Sequence, residues 1–349
     1  MSRRLAVVLF NLGGPDTLES VQPFLFNLFN DKAIFNLPRP FRGWLAAFVA
    51  KRRAPIASEI YRQLGGGSPL LANTVAQADA LHAALGGGPD TRVFIAMRYW
   101  HPFTAQTAAD VQDWRPDEII LLPLYPQFST TTAASSLGAW RDAAKSLGLK
   151  VPARTICCYP TAPGFIAAMA EAIAPALDQA AAHGTPRLLL SAHGLPEKVV
   201  ASGDPYQYQC EQTAQAIVAA IAERRSDYAD LDWSVCYQSR VGPLKWIQPS
   251  TDEEIRRAGQ DRAPVVIAPI AFVSEHSETL VEIEIEYRAL AAEAGVPCFV
   301  RVPAAATAPA FIDALARLVR RAQTDGSALI SGCGGRFCPP VFKGCPLAN

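Results

Sequence analysis

Short apolar runs alternate with longer amphipathic segments along this chain. The runs are Leu5–Phe10, Val93–Met97, Ile119–Leu124, Ala153–Cys157, Arg187–Ser191, Trp233–Tyr237, Val265–Ile270 and Cys298–Val302. Helical spacing fills the gaps, as in Ser68–Leu85, Gly164–Ala182, Pro205–Glu223 and Pro309–Ala322. Strand alternating with helix gives parallel sheets joined by right-handed crossovers. The pattern predicts an α/β protein with two similar domains of four strands each, over residues 1–150 and 151–325, followed by a cysteine-rich tail over 326–349. Ile120-Leu121-Leu122-Pro123-Leu124 resembles Val266-Ile267-Ala268-Pro269-Ile270, which supports the division.

The first half is longer between its first and third strands, and the extra length falls at Val21 to Gln63 (about 21–63). Phe24, Phe26, Phe29, Phe35, Phe41, Trp44 and Phe48 make this insertion too apolar for a disordered loop. From Ile34 to Arg53 the aromatics interleave with Arg39, Arg42, Lys51, Arg52 and Arg53. Such a stretch suits a lipid interface or the lip of an apolar pocket; a helix packed on its own domain is the alternative.

Composition narrows the function classes. Lysine and arginine balance aspartate and glutamate to a net charge of zero, so the basic surplus that neutralises nucleic-acid phosphates is missing. The longest near-apolar stretches, such as Ala263 to Val273, fall short of the roughly 18–20 residues that span a bilayer. The apolar run after Arg3-Arg4 is too short for a signal peptide, which points to an uncleaved cytoplasmic chain. There the eight cysteines are expected to be thiols or metal ligands rather than disulfides. GxGxxG after a strand, a Walker-type GxxxxGK[ST] and a GxSxG elbow are all absent.

Three constellations could carry chemistry. After the strand Val265–Ile270, helical spacing puts Glu275, Glu278, Glu282 and Glu286 on one face. A solvated face is the ordinary explanation. However, Glu278, Glu282 and Glu286 have no lysine or arginine three or four residues away, and Val281, Ile285, Ile283 and Leu280 border the stripe. Glu284 has Arg288 four residues on, as a solvent-side pair should. An inward acidic ladder that handles protons or divalent cations is therefore expected. The second constellation is Ser191-Ala192-His193-Gly194-Leu195-Pro196, which presents His193 at the carboxyl end of a strand as an acid or base.

The third is the tail, where Cys333, Cys338 and Cys345 stand in a Gly/Pro-rich segment that cannot build a core. Iron–sulfur or zinc ligation would organise it, with a fourth ligand from Cys157-Cys158; free thiols are the alternative. Cys210, Cys236 and Cys298 read as core. Gly65-Gly66-Gly67-Ser68-Pro69 reads as a turn and helix start, with Ser68 as N-cap and Pro69 first in the helix.

Taken in order, several segments resemble the ferrochelatase family over essentially the whole chain. They are Leu12-Gly13-Gly14-Pro15, Gly65–Pro69, Arg98-Tyr99-Trp100-His101-Pro102, Leu124-Tyr125-Pro126-Gln127-Phe128-Ser129, Ser191–Pro196, Cys236-Tyr237-Gln238-Ser239-Arg240-Val241-Gly242-Pro243 and Ala271–Tyr287. The resemblance implies two Rossmann-like, chelatase-type domains with a porphyrin cleft between them. It implies a lyase that inserts Fe²⁺ into protoporphyrin IX with release of two protons, the last step of haem biosynthesis. His193 and Glu278 would be the catalytic pair. The metal or proton path would comprise His193, Glu275, Glu278, Glu282 and Glu286. Porphyrin contacts map onto Leu12, Arg52, Arg53, Tyr61, Ser68, Arg98, Tyr99, Trp246 and Phe272, with Arg53 and Ser68 suited to the propionates.

The lip would meet the inner face of the membrane, placing a cytoplasmic protein peripherally on it, or touch the preceding haem-pathway enzyme. Nucleic acid is not an expected partner. The tail departs from the animal pattern C-x2-C-x4-C, being C-x4-C-x6-C, and Ala167 and Ala168 stand where the helix would supply a cysteine. It resembles the arrangement of some bacterial members, implying a [2Fe–2S] cluster on Cys158, Cys333, Cys338 and Cys345, with Cys157 the second choice for the first ligand. Glu275 stands where an aspartate is common. A coproporphyrin or cobalt chelatase is the nearest alternative, and a non-catalytic haem or iron–sulfur binding protein is the alternative of another class.

Overall fold

The computed structural model describes residues 3–240 and 244–347. Val241-Gly242-Pro243, the end of one family-like segment, lies outside the described residues.

The chain divides into two compact units. The first comprises residues up to Tyr125, Ser129–Cys157 and Leu318–Ile330; the second comprises Pro126–Phe128, Cys158–Arg317 and Ser331 onward. In the first, strands β1 (Leu5–Asn11), β2 (Thr91–Met97), β3 (Glu118–Pro123), β4 (Ala153–Ile156) and β9 (Leu329–Ile330) form a parallel sheet in the order β2-β1-β3-β4-β9. In the second, β5 (Arg187–His193), β6 (Asp232–Gln238), β7 (Val265–Pro269) and β8 (Phe299–Arg301) form a parallel sheet in the order β6-β5-β7-β8.

The expected strands are present, with one correction: the first sheet has five strands, not four. Its extra strand is two residues long and pairs Thr155 with Leu329, too short to leave any alternation in the sequence. The unit boundary also differs from the expected one near residue 150. Because β4 pairs with β3 (Ile119 with Ala153), the first unit extends through Cys157.

Central strands read as continuous apolar runs because both faces are covered. Val8 and Phe10 pack with Trp140 under one face of the first sheet, and Leu189 and Ile267 with Ile283 under one face of the second. Both sheets share the same local order, in which the second and third strands of each set flank the first on opposite sides. The carboxyl ends of β1 and β3, and of β5 and β7, are therefore topological switch points, where open α/β sheets bind ligands.

The insertion forms helices Val21–Phe29 and Arg39–Gln63. Phe24 and Leu25 pack inward with Tyr61 and Ala50. Phe41, Trp44, Phe48 and Ile56 instead stand 67%, 72%, 54% and 68% exposed, and Trp44 stacks on Phe48. Lys51 and Arg52 are exposed beside them. The helix at Ser68 starts one residue later than expected, at Leu70 with Pro69 as N-cap; the Ser68 hydroxyl accepts the Leu70 N–H at 3.3 Å. Among the described residues, no helix is long and apolar enough to cross a membrane.

Candidate active site

His193 is the last residue of β5, and the chain leaving β7 delivers Phe272, His276 and Glu278 to the same switch point. Glycine follows His193 for a packing reason. A Cβ on Gly194 would stand 2.9 Å from the Gln238 carbonyl oxygen and 3.3 Å from the Trp246 ring. His193 Nδ1 and Glu278 Oε2 are 2.9 Å apart. The Phe272 ring meets His193 edge-on, with centroids 6.5 Å apart, and packs on His276 at 4.5 Å. His276 Nε2 lies 3.9 Å from the same Glu278 oxygen.

Glu278 opens a ten-residue π-helix, Glu278–Tyr287, rather than the α-helix expected from spacing. Residues four apart stay on one side in either geometry, which is why the acidic stripe was legible without the correct helix type. Glu282 accepts hydrogen bonds from Gln238 Nε2 (2.9 Å), the Ser239 backbone N–H (2.8 Å) and Tyr287 hydroxyl (3.1 Å). Gln238 also donates to the Glu278 carbonyl and is itself oriented by the Ser191 hydroxyl. Glu286, the outer member of the stripe, is exposed. Glu275 is engaged by Arg301 (2.8 Å) and the Ala304 N–H (2.9 Å). Glu284 pairs with Arg288 as expected, and with Arg301 as well.

These neighbours push the ionisations apart. Burial disfavours charge on His193, but the Glu278 carboxylate and the more distant Glu282 outweigh it and hold the imidazole above 6.5. Burial likewise opposes ionised Glu278, yet His193 and His276 draw it well below the ordinary carboxylate range. Glu282 moves the other way, raised by burial and by the Glu278 charge. Burial lowers His276, so it gives up its proton more readily than His193 does. Two carboxylates one helical turn apart thus differ in how tightly they hold a proton, an arrangement that can take up and pass on protons.

Several residues expected to touch porphyrin meet in the first unit. Tyr61 and Tyr99 are buried in one cluster, and half-buried Leu12 packs against it. Leu12 leads from β1 into Gly13, where φ is +86° and an added Cβ would stand 2.9 Å from the Trp100 backbone nitrogen, so only glycine fits. Arg98 and Tyr99 both donate to Asp31 Oδ2 at 2.8 Å, and Ser135 donates to the same oxygen. Burial raises Asp31, but the Ser135 hydroxyl, the Ala33 N–H, Arg98 and Tyr99 together hold it below 3.8. Arg53 is half-buried and Arg52 exposed on the Arg39–Gln63 helix. In the second unit, Trp246 lies against Gly194 and Phe272 against His193.

In the tail, Gln209 Nε2 donates to both Cys338 Sγ (3.1 Å) and Cys158 Sγ (3.7 Å). Cys345 is hydrogen-bonded to Cys338, which with Arg336 lowers its thiol to about 6 against partial burial. Cys333 Sγ stands 3.2 Å from the Thr161 hydroxyl. Among the described residues, no group of three or more His, Cys, Asp or Glu side chains is set closely enough to hold a metal ion. Cys210 and Cys236 are buried as expected.

Sequence reasoning did not single out His276, Gln238, Asp31 or Arg301. Four-residue spacing from Phe272 was a signal for His276. Asp31 and Arg301 carried none, since their partners lie far away in the chain.

The fold itself is that of a chelatase. Sirohydrochlorin chelatase SirB from Bacillus subtilis, solved with Fe³⁺, superposes with a TM-score of 0.55 at 12% identity, over 93% of this chain and 98% of that one. A family model described as ferrochelatase matches residues 4–323, and the chain belongs to the ferrochelatase family. It is 52% identical to the ferrochelatase of Hyphomonas neptunium, covering 100% of this chain and 96% of the relative. It is 51% identical to that of Caulobacter vibrioides, covering 99% and 98%.

Proposed function

We propose that this chain inserts Fe²⁺ into protoporphyrin IX to form haem, completing haem biosynthesis, with His193 and Glu278 as the groups that handle the displaced protons. Family membership over the whole chain supports the reaction. The observation that carries the assignment of residues is the 2.9 Å contact between His193 and Glu278 at the β5–β7 switch point.

A free-base porphyrin must lose two pyrrole protons before its four nitrogens can hold a divalent ion in plane. His193 accepts these protons in turn, and the Glu278 carboxylate stabilises the imidazolium that forms. Glu282, the more basic carboxyl, takes the proton onward, and exposed Glu286 ends the path in water. Phe272 and Trp246 form apolar walls beside His193. Leu12, Tyr61 and Tyr99 offer an apolar surface in the first unit, Arg98 stands beside them, and Arg52, Arg53 and Ser68 suit the propionates. The exposed face of the Arg39–Gln63 helix is read as the peripheral membrane or partner-enzyme contact of a cytoplasmic protein.

Cys158, Cys333, Cys338 and Cys345 would hold a [2Fe–2S] cluster. Support comes from the donor type and from the buried Gln209 amide shared by two of the sulfurs, an N–H placement that tunes such clusters. Cys158, engaged by that amide, is preferred over Cys157. The cluster would supply a fixed point for the coreless tail. Loss of bound iron and visible absorbance in Cys338→Ser checks it; full retention in each of the four serine variants removes the proposal.

The deciding experiment is anaerobic Fe²⁺ insertion into protoporphyrin IX by the full chain and by His193→Ala. Haem formation by the unaltered chain alone is expected. Turnover only with coproporphyrin, or only with cobalt, reassigns the substrate, and equal turnover by His193→Ala overturns the residue assignment.

A further inference from the structure

One guanidinium holds both the segment leading into the π-helix that carries Glu278 and Glu282 and the middle of that helix. The i→i+5 ladder has poor hydrogen-bond geometry and usually lasts a single turn, so ten residues of it need support from the surrounding fold. Arg301 ends the edge strand β8. Its Nη1 reaches Glu275 Oε1 at 2.8 Å, three residues before Glu278, and its Nε reaches Glu284 Oε2 at 2.9 Å, six residues after it. The side chain is only 15% exposed, so these pairs are poorly screened by water.

Two further ties continue the strap. Arg288 pairs with the other oxygen of Glu284 and donates to the Phe299 carbonyl of β8 at 2.8 Å. The Ala304 N–H, just beyond β8, donates to Glu275. Burial opposes the charge on Glu275, but Thr279, Arg301 and Ala304 together keep it ionised. Its charge is thus committed to a guanidinium rather than open to passing protons.

We propose that Arg301 is a positioning residue: by gripping Glu275 and Glu284 at once, it holds the π-helix where Glu278 meets His193. Glu275 belongs to this strap and not to the proton path. The inference rests on the reading of His193 and Glu278 as proton-handling groups.

The test measures anaerobic Fe²⁺ insertion, with kcat and KM for protoporphyrin, in the full chain. Arg301→Gln is expected to lower kcat by about 10- to 100-fold, the cost of a small misplacement of a reacting group, while KM changes by less than about threefold. Arg301→Lys should recover part of the loss, because an ammonium can serve one carboxylate well but not both in a planar fork. Combining Arg301→Gln with Glu278→Asp should cost little beyond Glu278→Asp alone, because both act through one contact. Glu284→Gln, which cuts one arm at a more open site, should move kcat in the same direction and carries the comparison if Arg301→Gln does not fold.

A folded Arg301→Gln with unaltered kcat overturns the strap, as does a loss that multiplies fully with that of Glu278→Asp. If His193→Ala and Glu278→Asp themselves turn over normally, the underlying reading falls instead. If they are impaired and the Arg301 and Glu284 variants are not, only the strap falls.

Discussion

His193 and Glu278 face each other at 2.9 Å although 85 residues separate them, one ending a strand and the other opening a helix. Their contact joins a group held above its ordinary pKa to one held below it, so each favours the charged form of the other.

That pairing sets the pH dependence of turnover. His193 accepts protons only when neutral, so insertion should increase as pH rises through a midpoint above 6.5. In Glu278→Gln the burial that disfavours imidazolium remains while its main counter-charge is gone, so the midpoint should fall. A pH profile of residual turnover checks this, supported by NMR titration of the His193 ring. An unchanged or higher midpoint in the variant would falsify the account.

Asp31 should be a stability residue that also sets the porphyrin-side surface. Asp31→Asn leaves the buried end of Arg98 without its counter-charge, which costs about 3 kcal/mol. Because the folded pKa of Asp31 lies below 3.8, its contribution is fully present above that value and is lost as pH falls through the folded one. Urea melts at pH 7 and near pH 3 should therefore show the difference between the two proteins shrinking in acid.

Gly194→Ala should impair catalysis more than folding. The new Cβ meets the Gln238 backbone carbonyl, which cannot swing aside as a side chain can, so the neighbouring His193 must move. A decrease in kcat of about 10- to 100-fold is expected. The melting temperature should fall by only a few degrees, roughly the effect of 1 kcal/mol. Near-normal turnover with a large loss of stability would contradict this.

The exposed aromatic face should matter for surfaces rather than for the fold. Trp44→Ser with Phe48→Ser removes side chains that are more than half exposed, so thermal stability should be preserved. Partition onto anionic lipid vesicles should weaken by about tenfold or more, given roughly 1.5–3 kcal/mol for burying a large apolar side chain. Unaltered partition in sedimentation would assign that face to a protein partner.

The strands of both sheets were legible because buried parallel strands must be apolar along their whole length and are bounded by turn residues. β9 was not, since two residues carry no period. The acidic stripe was visible through the missing lysines and arginines around it. Its outer member, Glu286, proved exposed, and its first, Glu275, proved to be paired with Arg301.

What this protein's sequence determines by itself is therefore local: strand and helix positions, the α/β class, the carboxylates spaced four apart, and the histidine at a strand end. Periodicity and turn chemistry act between near neighbours, so they can be read from the chain directly. Tertiary structure alone decided the π-helical winding, Asp31 as the anchor of Arg98 and Tyr99, and the clamp of Arg301 on Glu275 and Glu284. The side-chain pairings join residues far apart in sequence, and the winding depends on supports from distant strands. Each exists only once the sheets have brought its charges together out of water.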